Sequence, residues 1–117
     1  MKKIFLCLAI FTLYLEAKEL NIGVIMPLTG QTAAYGQSAY EGIKIANAMR
    51  GTLSNGDKIK IIALDSKGDK IESGTAATRL IAQDKVLGII GEAITTNTMQ
   101  VISVAENKKV PLIAPVA

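Results

Sequence analysis

Four short apolar runs alternate with three longer segments of helical periodicity along this chain. The runs cover residues 20–27, 58–65, 86–91 and 111–114, and the helical segments cover residues 37–49, 70–83 and about 95–107. Continuous apolar runs of strand length, joined by segments long enough for a crossover helix, are typical of parallel sheets with helices on both faces. We therefore predict an α/β fold with a parallel sheet and the order β-α-β-α-β-α-β.

Local signals place the ends of these elements. Residues 28–36 (LTGQTAAYG) predict a turn-rich loop after the first strand. Asp69 and Glu72 have the spacing of a helix N-cap and its partner. The chain stops soon after its fourth strand, so we expect residues 18–117 to form an incomplete sheet with an unpaired edge. Three methionines fall on apolar positions and are predicted to lie in the core: Met26, Met49 and Met99.

The first residues have the pattern of a secretory signal peptide. Lys2 and Lys3 precede an apolar run over residues 4–15, and Ala17 supplies a small residue for cleavage. This run is shorter than the roughly 20 residues that cross a bilayer. We expect residues 1–17 to be removed on export and residues 18–117 to belong to a soluble protein that works outside the cytoplasm.

Composition excludes several classes of function. The chain has 13 Lys and Arg against 10 Asp and Glu with no dense basic cluster, so it lacks the footprint of a nucleic-acid-binding protein. It has no His, which removes the usual general base and the commonest transition-metal ligand. The single cysteine, Cys7, lies in the predicted signal peptide. We therefore expect no catalytic residues, no metal site and no cofactor in residues 18–117.

Ligands of open α/β sheets bind where the parallel strands end, at the carboxyl edge. After the third strand, Thr95, Thr96, Asn97 and Thr98 place hydroxyl and amide groups in a row at a helix start. Free backbone N–H groups and hydroxyls at such a position favour an anion. One such residue also serves as an ordinary N-cap, so the residue pattern alone supports both interpretations.

Other polar residues near this edge allow less specific interpretations. Tyr35, in the loop after the first strand, either belongs to a plain connection or walls an apolar pocket. That loop lacks the glycine pattern of a phosphate or dinucleotide site. Asp65 is interpreted as a turn or cap residue. Glu92, beside the candidate pocket, either disfavours an anion, meets a ligand's ammonium group or is exposed to solvent.

Three blocks of sequence resemble the periplasmic solute-binding proteins for branched-chain amino acids. They are IGVIMPLTGQTAAYGQSAYEGIKIA, IALDSKGDKIESGTAATRLI and VLGIIGEAITTNTMQVISVAENKKVPLIAPVA, in the family's order and spacing. The resemblance implies the two-lobed Venus flytrap fold of the type I class, with residues 18–117 as the first part of the N-terminal lobe. It also implies capture of leucine, isoleucine or valine and delivery to an ABC permease in the inner membrane. We expect the protein to be a monomer.

The resemblance assigns roles to several positions. Thr95 resembles the family's hydroxyl residue that holds the ligand's α-carboxylate. Val116 and Ala117 match the segment whose backbone meets the amino-acid head group, and Tyr35 matches a tyrosine of the pocket wall. The full set of predicted ligand-binding residues is Thr95, Thr96, Asn97, Val116, Ala117 and Tyr35.

Two other classes of function were weighed against this one. The same lobes occur in ligand-sensing domains of receptors or regulators for amino acids, amides or urea. An exported Rossmann-like enzyme is disfavoured by the missing glycine fingerprint and the absence of His. Whichever class applies, we expect residues 18–117 alone to aggregate or stay partly unfolded, because an incomplete sheet exposes apolar surface.

Overall fold

The computed structural model describes residues 17–117, which form four strands and three helices. The strands are β1 (Glu19–Met26), β2 (Lys58–Asp65), β3 (Gly88–Gly91) and β4 (Leu112–Ile113), and the helices are α1 (Ala33–Arg50), α2 (Lys70–Ala82) and α3 (Thr95–Asn107). The predicted order β-α-β-α-β-α-β is confirmed. Apart from Ala17, the predicted signal peptide lies outside the described residues.

All strand pairs run parallel, in the spatial order β2-β1-β3-β4. Strand β1 is central, since Val24 lies beside Ala63 of β2 on one side and beside Ile90 of β3 on the other. A central strand is buried on both faces, which explains why residues 22–26 of β1 are all apolar instead of alternating with polar ones. The predicted parallel α/β sheet is confirmed.

Helices α2 and α3 cover one face of the sheet and form the main core. Leu80 of α2 and Val101 of α3 pack with Ile25 of β1 and Ile89 of β3, and each of the four is at most 2% exposed. Burying a side chain of this size contributes roughly 1.5–3 kcal/mol. This core fixes β1 and β3 relative to the two helices and so positions the loops that follow these strands.

Helix α1 lies against the opposite face of the sheet and covers it incompletely. A groove of about 450 Å³ remains between α1 and the sheet, and its apolar lining includes Ile22, Ile43 and Ile61. Ile113 of β4 is 69% exposed and Ile45 of α1 is 60% exposed. Residues 17–117 by themselves therefore leave apolar surface open on this side.

Two of the three methionine predictions are wrong. Met26 is buried in β1, but Met49 is 77% exposed and Met99 is 56% exposed. Each of these two lies two positions from an inward residue of its helix, Asn47 in α1 and Asn97 in α3. Two positions turn a side chain by about 200° around a helix, so both methionines point to solvent.

Helix α1 begins at Ala33 instead of the predicted Gln37. The sequence interpretation took Gly36 for a loop residue, but Gly36 is a buried helical residue. A Cβ at this position would overlap the carbonyl oxygen of Pro27, so only glycine allows α1 to start so close to β1. Tyr35 consequently lies in the first turn of α1 and not in the preceding loop. The predicted N-cap of α2 is confirmed, because the Asp69 side chain accepts the Glu72 N–H at 2.8 Å.

Candidate functional site

The carboxyl ends of the four parallel strands lie along one edge of the sheet, and most of the predicted site residues follow them there. Tyr35 comes after β1, Thr95 and Thr96 come after β3, and Val116 and Ala117 come after β4. All five are exposed, Tyr35 by 69% and Val116 by 57%. The fold thus brings predicted residues from three segments to one open edge, where ligands of such sheets bind.

Thr95 is the first residue of α3, and its hydrogen-bond donors are free. The N-cap is Ile94, so no side-chain oxygen caps the helix and the ordinary capping interpretation is wrong. The N–H groups of Asn97 and Thr98 donate to the Ile94 carbonyl oxygen at 3.0 and 2.8 Å. Among the described residues, the Thr95 hydroxyl and the N–H groups of Thr95 and Thr96 have no partner.

These free donors suit an anion such as a ligand carboxylate. Unpaired N–H groups in the first turn of a helix carry positive partial charge, and the first turn of α3 has no acidic residue. The Thr95 hydroxyl adds a directed donor, and a hydrogen bond to a charged group contributes about 1.5–3 kcal/mol. The start of α3 can therefore hold a carboxylate without a cationic side chain.

Asn97 and Thr98 lie on the inward side of α3. They are 2% and 5% exposed, and the Thr98 hydroxyl donates to the Ile94 carbonyl oxygen at 3.0 Å. The Thr96 hydroxyl donates to Asn97 Oδ1 at 3.5 Å, whereas Asn97 Nδ2 has no partner within residues 17–117. Asn97 thus lies beneath the exposed threonines, and its role in ligand binding stays a prediction.

The burial of Glu92 is the site feature that the sequence interpretation missed. The expectation of solvent exposure is wrong, because its side chain is fully buried. Its Oε1 accepts the Ser66 hydroxyl and its Oε2 accepts the Ile94 N–H at 2.9 Å. The only sequence signal for burial was its position between the end of an apolar strand at Gly91 and the apolar Ala93.

Strand β3 ends at Gly91, whose φ is +146° and whose peptide bond to Glu92 is cis. A Cβ on Gly91 would overlap the carbonyl oxygen of Ile25 in the neighbouring strand β1. Only glycine combines this dihedral angle with so close an approach of two backbones. The residue therefore allows the chain to leave the sheet beside β1 and to enter α3 within a few residues.

Asp65 connects the loops that follow β1 and β2. Its Oδ1 accepts the N–H groups of Leu28 and Lys67, each at 2.8 Å, and its Oδ2 accepts the Thr29 hydroxyl at 2.6 Å. Partial burial acts to raise the pKa of this carboxyl, but the hydrogen bonds outweigh burial and hold the pKa below its usual value. The interpretation of Asp65 as a turn residue is confirmed.

Residues 17–117 contain no group of three or more His, Cys, Asp or Glu residues that could hold a metal ion. None of their helices combines the length and the hydropathy that a membrane span requires.

The described residues thus form a parallel α/β unit with free hydroxyl and N–H donors at the carboxyl edge, where ligands of such sheets bind. Residues 19–117 match the family model described as "Periplasmic binding protein". The chain belongs to this family, and the predicted fold, the N-terminal lobe of a type I periplasmic binding protein, is confirmed. Membership in a family of binding proteins also confirms the expectation that the chain is not an enzyme.

Several proteins whose names specify an amino acid as ligand are similar to this chain. An "amino acid binding protein" of Pseudomonas aeruginosa is 31% identical over 101 residues, which make up 83% of this chain and 26% of that protein. The leucine binding protein LivK of Thermotoga maritima is 37% identical with a TM-score of 0.80, over 83% of this chain and 27% of the other. A third similar protein is LivJ of Streptococcus pneumoniae, a branched-chain amino acid transporter substrate binding protein solved with isoleucine. It is 30% identical with a TM-score of 0.82, over 86% of this chain and 29% of the other.

A further similar structure contains an aromatic acid. It is a solute binding protein of an ABC transporter from Rhodopseudomonas palustris, solved with 3,4-dihydroxybenzoic acid. It is 31% identical to this chain with a TM-score of 0.79, over 85% of this chain and 27% of the other. The chain spans about a quarter of the length of the curated relatives it matches.

Proposed function

We propose that this chain is part of a solute-binding protein that captures a branched-chain amino acid outside the cytoplasm for import by an ABC transporter. The observation that carries the proposal is the Thr95 hydroxyl beside the N–H groups of Thr95 and Thr96, all unpaired among the described residues. The similarity to LivK and to the isoleucine complex of LivJ supports the ligand class.

The ligand's two charged groups and its side chain meet different parts of the carboxyl edge. The α-carboxylate accepts hydrogen bonds from the Thr95 hydroxyl and from the N–H groups of Thr95 and Thr96. The backbone of residues 116–117 meets the ammonium group, and Tyr35 forms part of the wall around the aliphatic side chain. Asn97 acts from beneath, where its Oδ1 accepts the Thr96 hydroxyl at 3.5 Å. Hydrogen bonds to the carboxylate, of about 1.5–3 kcal/mol each, contribute affinity for any α-amino acid. Burial of the aliphatic side chain distinguishes one amino acid from another.

Residues 18–117 form the first part of the N-terminal lobe of a two-lobed protein in this proposal. The much greater length of the relatives supports this placement. Residues 1–17 act as a cleaved signal peptide, which the order of basic, apolar and small residues supports. The mature protein is then a periplasmic monomer that passes its ligand to an ABC permease of the inner membrane.

The test is isothermal titration calorimetry of the full-length mature protein with leucine, isoleucine and valine. Saturable binding of at least one of the three is expected, with alanine as a control for the apolar side chain. Alanine offers the same carboxylate and ammonium groups and buries less apolar surface, so it is expected to bind more weakly. Absence of binding by all three amino acids at about millimolar concentration, where even weak ligands are detected, would refute the amino-acid proposal.

An aromatic carboxylate is the second candidate ligand. The observation that favours it is the Rhodopseudomonas palustris relative solved with 3,4-dihydroxybenzoic acid. Such a ligand shares the carboxylate, which the start of α3 recognises, and lacks the ammonium group. Titration of the same preparation with 3,4-dihydroxybenzoate decides between the two, because binding of the aromatic acid without binding of any amino acid would favour this candidate.

A further inference from the structure

Glu92 lies at the base of the loop between β3 and α3 and has a fully buried side chain. One carboxyl oxygen accepts the Ser66 hydroxyl, and the other accepts the N–H of Ile94 at 2.9 Å. No Lys or Arg within residues 17–117 forms an ion pair with it. A buried acidic group is costly unless its oxygens are hydrogen-bonded, so the two hydrogen bonds are what holds this side chain in place.

Ser66, the partner of Glu92, belongs to a junction of three elements. Its N–H donates to the Met26 carbonyl oxygen of β1 at 2.9 Å, and its own carbonyl oxygen accepts the N–H of Asp69, the N-cap of α2, at 2.9 Å. Its hydroxyl oxygen also accepts the Gly68 N–H at 3.3 Å. Glu92 therefore links the start of α3 to Ser66, which directly follows β2 and whose backbone is hydrogen-bonded to β1 and to the N-cap of α2.

The second hydrogen bond of Glu92 decides which donors remain at the start of α3. Since the Ile94 N–H is used internally, the first unpaired donors of the helix are those of Thr95 and Thr96. These are the groups to which the proposed function assigns the ligand carboxylate. Without the carboxyl group of Glu92, the Ile94 N–H loses its partner and the loop loses its link to Ser66.

We infer that Glu92 is a positioning residue of the ligand site: through Ser66 and the Ile94 N–H it sets the loop geometry that aims the Thr95 and Thr96 donors at the ligand carboxylate. This inference rests on the proposed function, since it names how the same site is held. Glu92 touches no ligand atom in this arrangement. Its effect on affinity passes through the backbone of the loop.

The experiment compares the full-length mature protein with four variants. Calorimetric titration measures the affinity for leucine, and thermal unfolding measures the melting temperature. Glu92→Ala removes both acceptors, and we expect its Kd for leucine to rise about tenfold or more, as for a lost interaction with a charged ligand. Ser66→Ala removes one link and is expected to raise the Kd about threefold. Glu92→Gln is expected to stay within about twofold of the wild type, because its amide oxygen still accepts the Ile94 N–H and its amide nitrogen donates to the Ser66 hydroxyl oxygen.

Ser73→Ala is the matched control. Ser73 is fully buried in α2 and its hydroxyl donates to the Asp69 carbonyl oxygen at 2.7 Å. We expect its loss to lower the melting temperature while both hydrogen bonds of Glu92 stay intact. Unchanged leucine affinity is expected for this variant. A Glu92→Ala protein with wild-type affinity would overturn the inference, and so would equal weakening by Ser73→Ala.

Three further outcomes complete the test. If Glu92→Ala does not fold, the pair Ser66→Ala and Glu92→Gln decides, and wild-type affinity in Ser66→Ala overturns the inference. If the wild-type protein binds neither leucine, isoleucine, valine nor 3,4-dihydroxybenzoate, the proposed function fails and the inference fails with it. Binding by the wild type together with unchanged affinity in the Glu92 and Ser66 variants overturns the inference alone.

Discussion

Replacement of Thr95 by alanine separates ligand binding from folding more cleanly than any other change at the carboxyl edge. The Thr95 side chain is exposed, and its hydroxyl has no hydrogen-bond partner among residues 17–117. Its removal therefore breaks no hydrogen bond among the described residues. Alanine is also the better helix former, by less than about 0.7 kcal/mol. We expect the free energy of unfolding to change by no more than about 0.5 kcal/mol.

The effect of Thr95→Ala on affinity is expected to be much larger. A hydroxyl that donates to a carboxylate contributes about 1.5–3 kcal/mol, and each 1.4 kcal/mol corresponds to about a tenfold change in Kd. The Kd for leucine should therefore rise about 10- to 150-fold in the full-length mature protein. The assay pairs calorimetric titration with urea denaturation of the same preparation. Thr95→Ser, which keeps the hydroxyl, is expected to bind with nearly wild-type affinity.

Thr98→Val is the matched control for Thr95→Ala. The Thr98 hydroxyl is buried and donates to the Ile94 carbonyl oxygen at 3.0 Å, so valine loses a hydrogen bond at nearly constant shape. We expect this variant to lose about 1 kcal/mol of stability and to keep its leucine affinity. Unchanged affinity in Thr95→Ala, or equal losses of affinity in both variants, would refute the assignment of the ligand carboxylate to Thr95.

Three further predictions concern the lobe itself. Because the pKa of Asp65 is lowered in the folded state, its contribution to stability is present above about pH 3.8, the usual value, and is lost as pH falls through the lowered pKa. Urea denaturation of the wild type and Asp65→Asn should thus give a stability difference at pH 6 that shrinks on acidification, and a constant difference would contradict this. In Gly91→Ala, the new Cβ overlaps the Ile25 carbonyl oxygen, so the free energy of unfolding should fall by about 3 kcal/mol or more. In Gly42→Ala nothing lies near the new Cβ, so α1 should be stabilised by about 0.5–1 kcal/mol. Equal effects of the two variants in thermal unfolding would refute the argument from packing. Residues 18–117 alone should aggregate and should bind a dye that fluoresces on exposed apolar surface, because the groove beside α1 is open. A sharp cooperative thermal transition without dye binding would contradict this expectation.

The element order could be predicted from the sequence because an apolar run marks each strand, although β3 and β4 are shorter in the structure than their runs. The central position of β1 agrees with the apolar residues 22–26, and the Asp69 cap marks the start of α2 by side-chain chemistry alone. The start of α1 could not be predicted in this way. Gly36 is needed there by the nearby Pro27 carbonyl oxygen, and that contact exists only in the folded sheet.

The site was predictable in its location and less so in its construction. Hydroxyl residues after the third strand identified the carboxyl edge, and Thr95 and Thr96 are indeed exposed at the start of α3. Helical phase then separates neighbours that look equivalent in sequence, since Asn97 faces inward. The burial of Glu92 depends on Ser66, which lies on another loop and reaches Glu92 only through the pairing of β1 with both β2 and β3.

Comparison of leucine with leucinamide tests the central claim most directly. The two ligands share the ammonium group and the aliphatic side chain, and only leucine offers a carboxylate to the start of α3. Calorimetric titration of the full-length mature protein should give saturable binding of leucine and binding of leucinamide that is weaker by about tenfold or more. Equal affinity for the two ligands would contradict the claim that the Thr95 and Thr96 donors hold the ligand by its carboxylate.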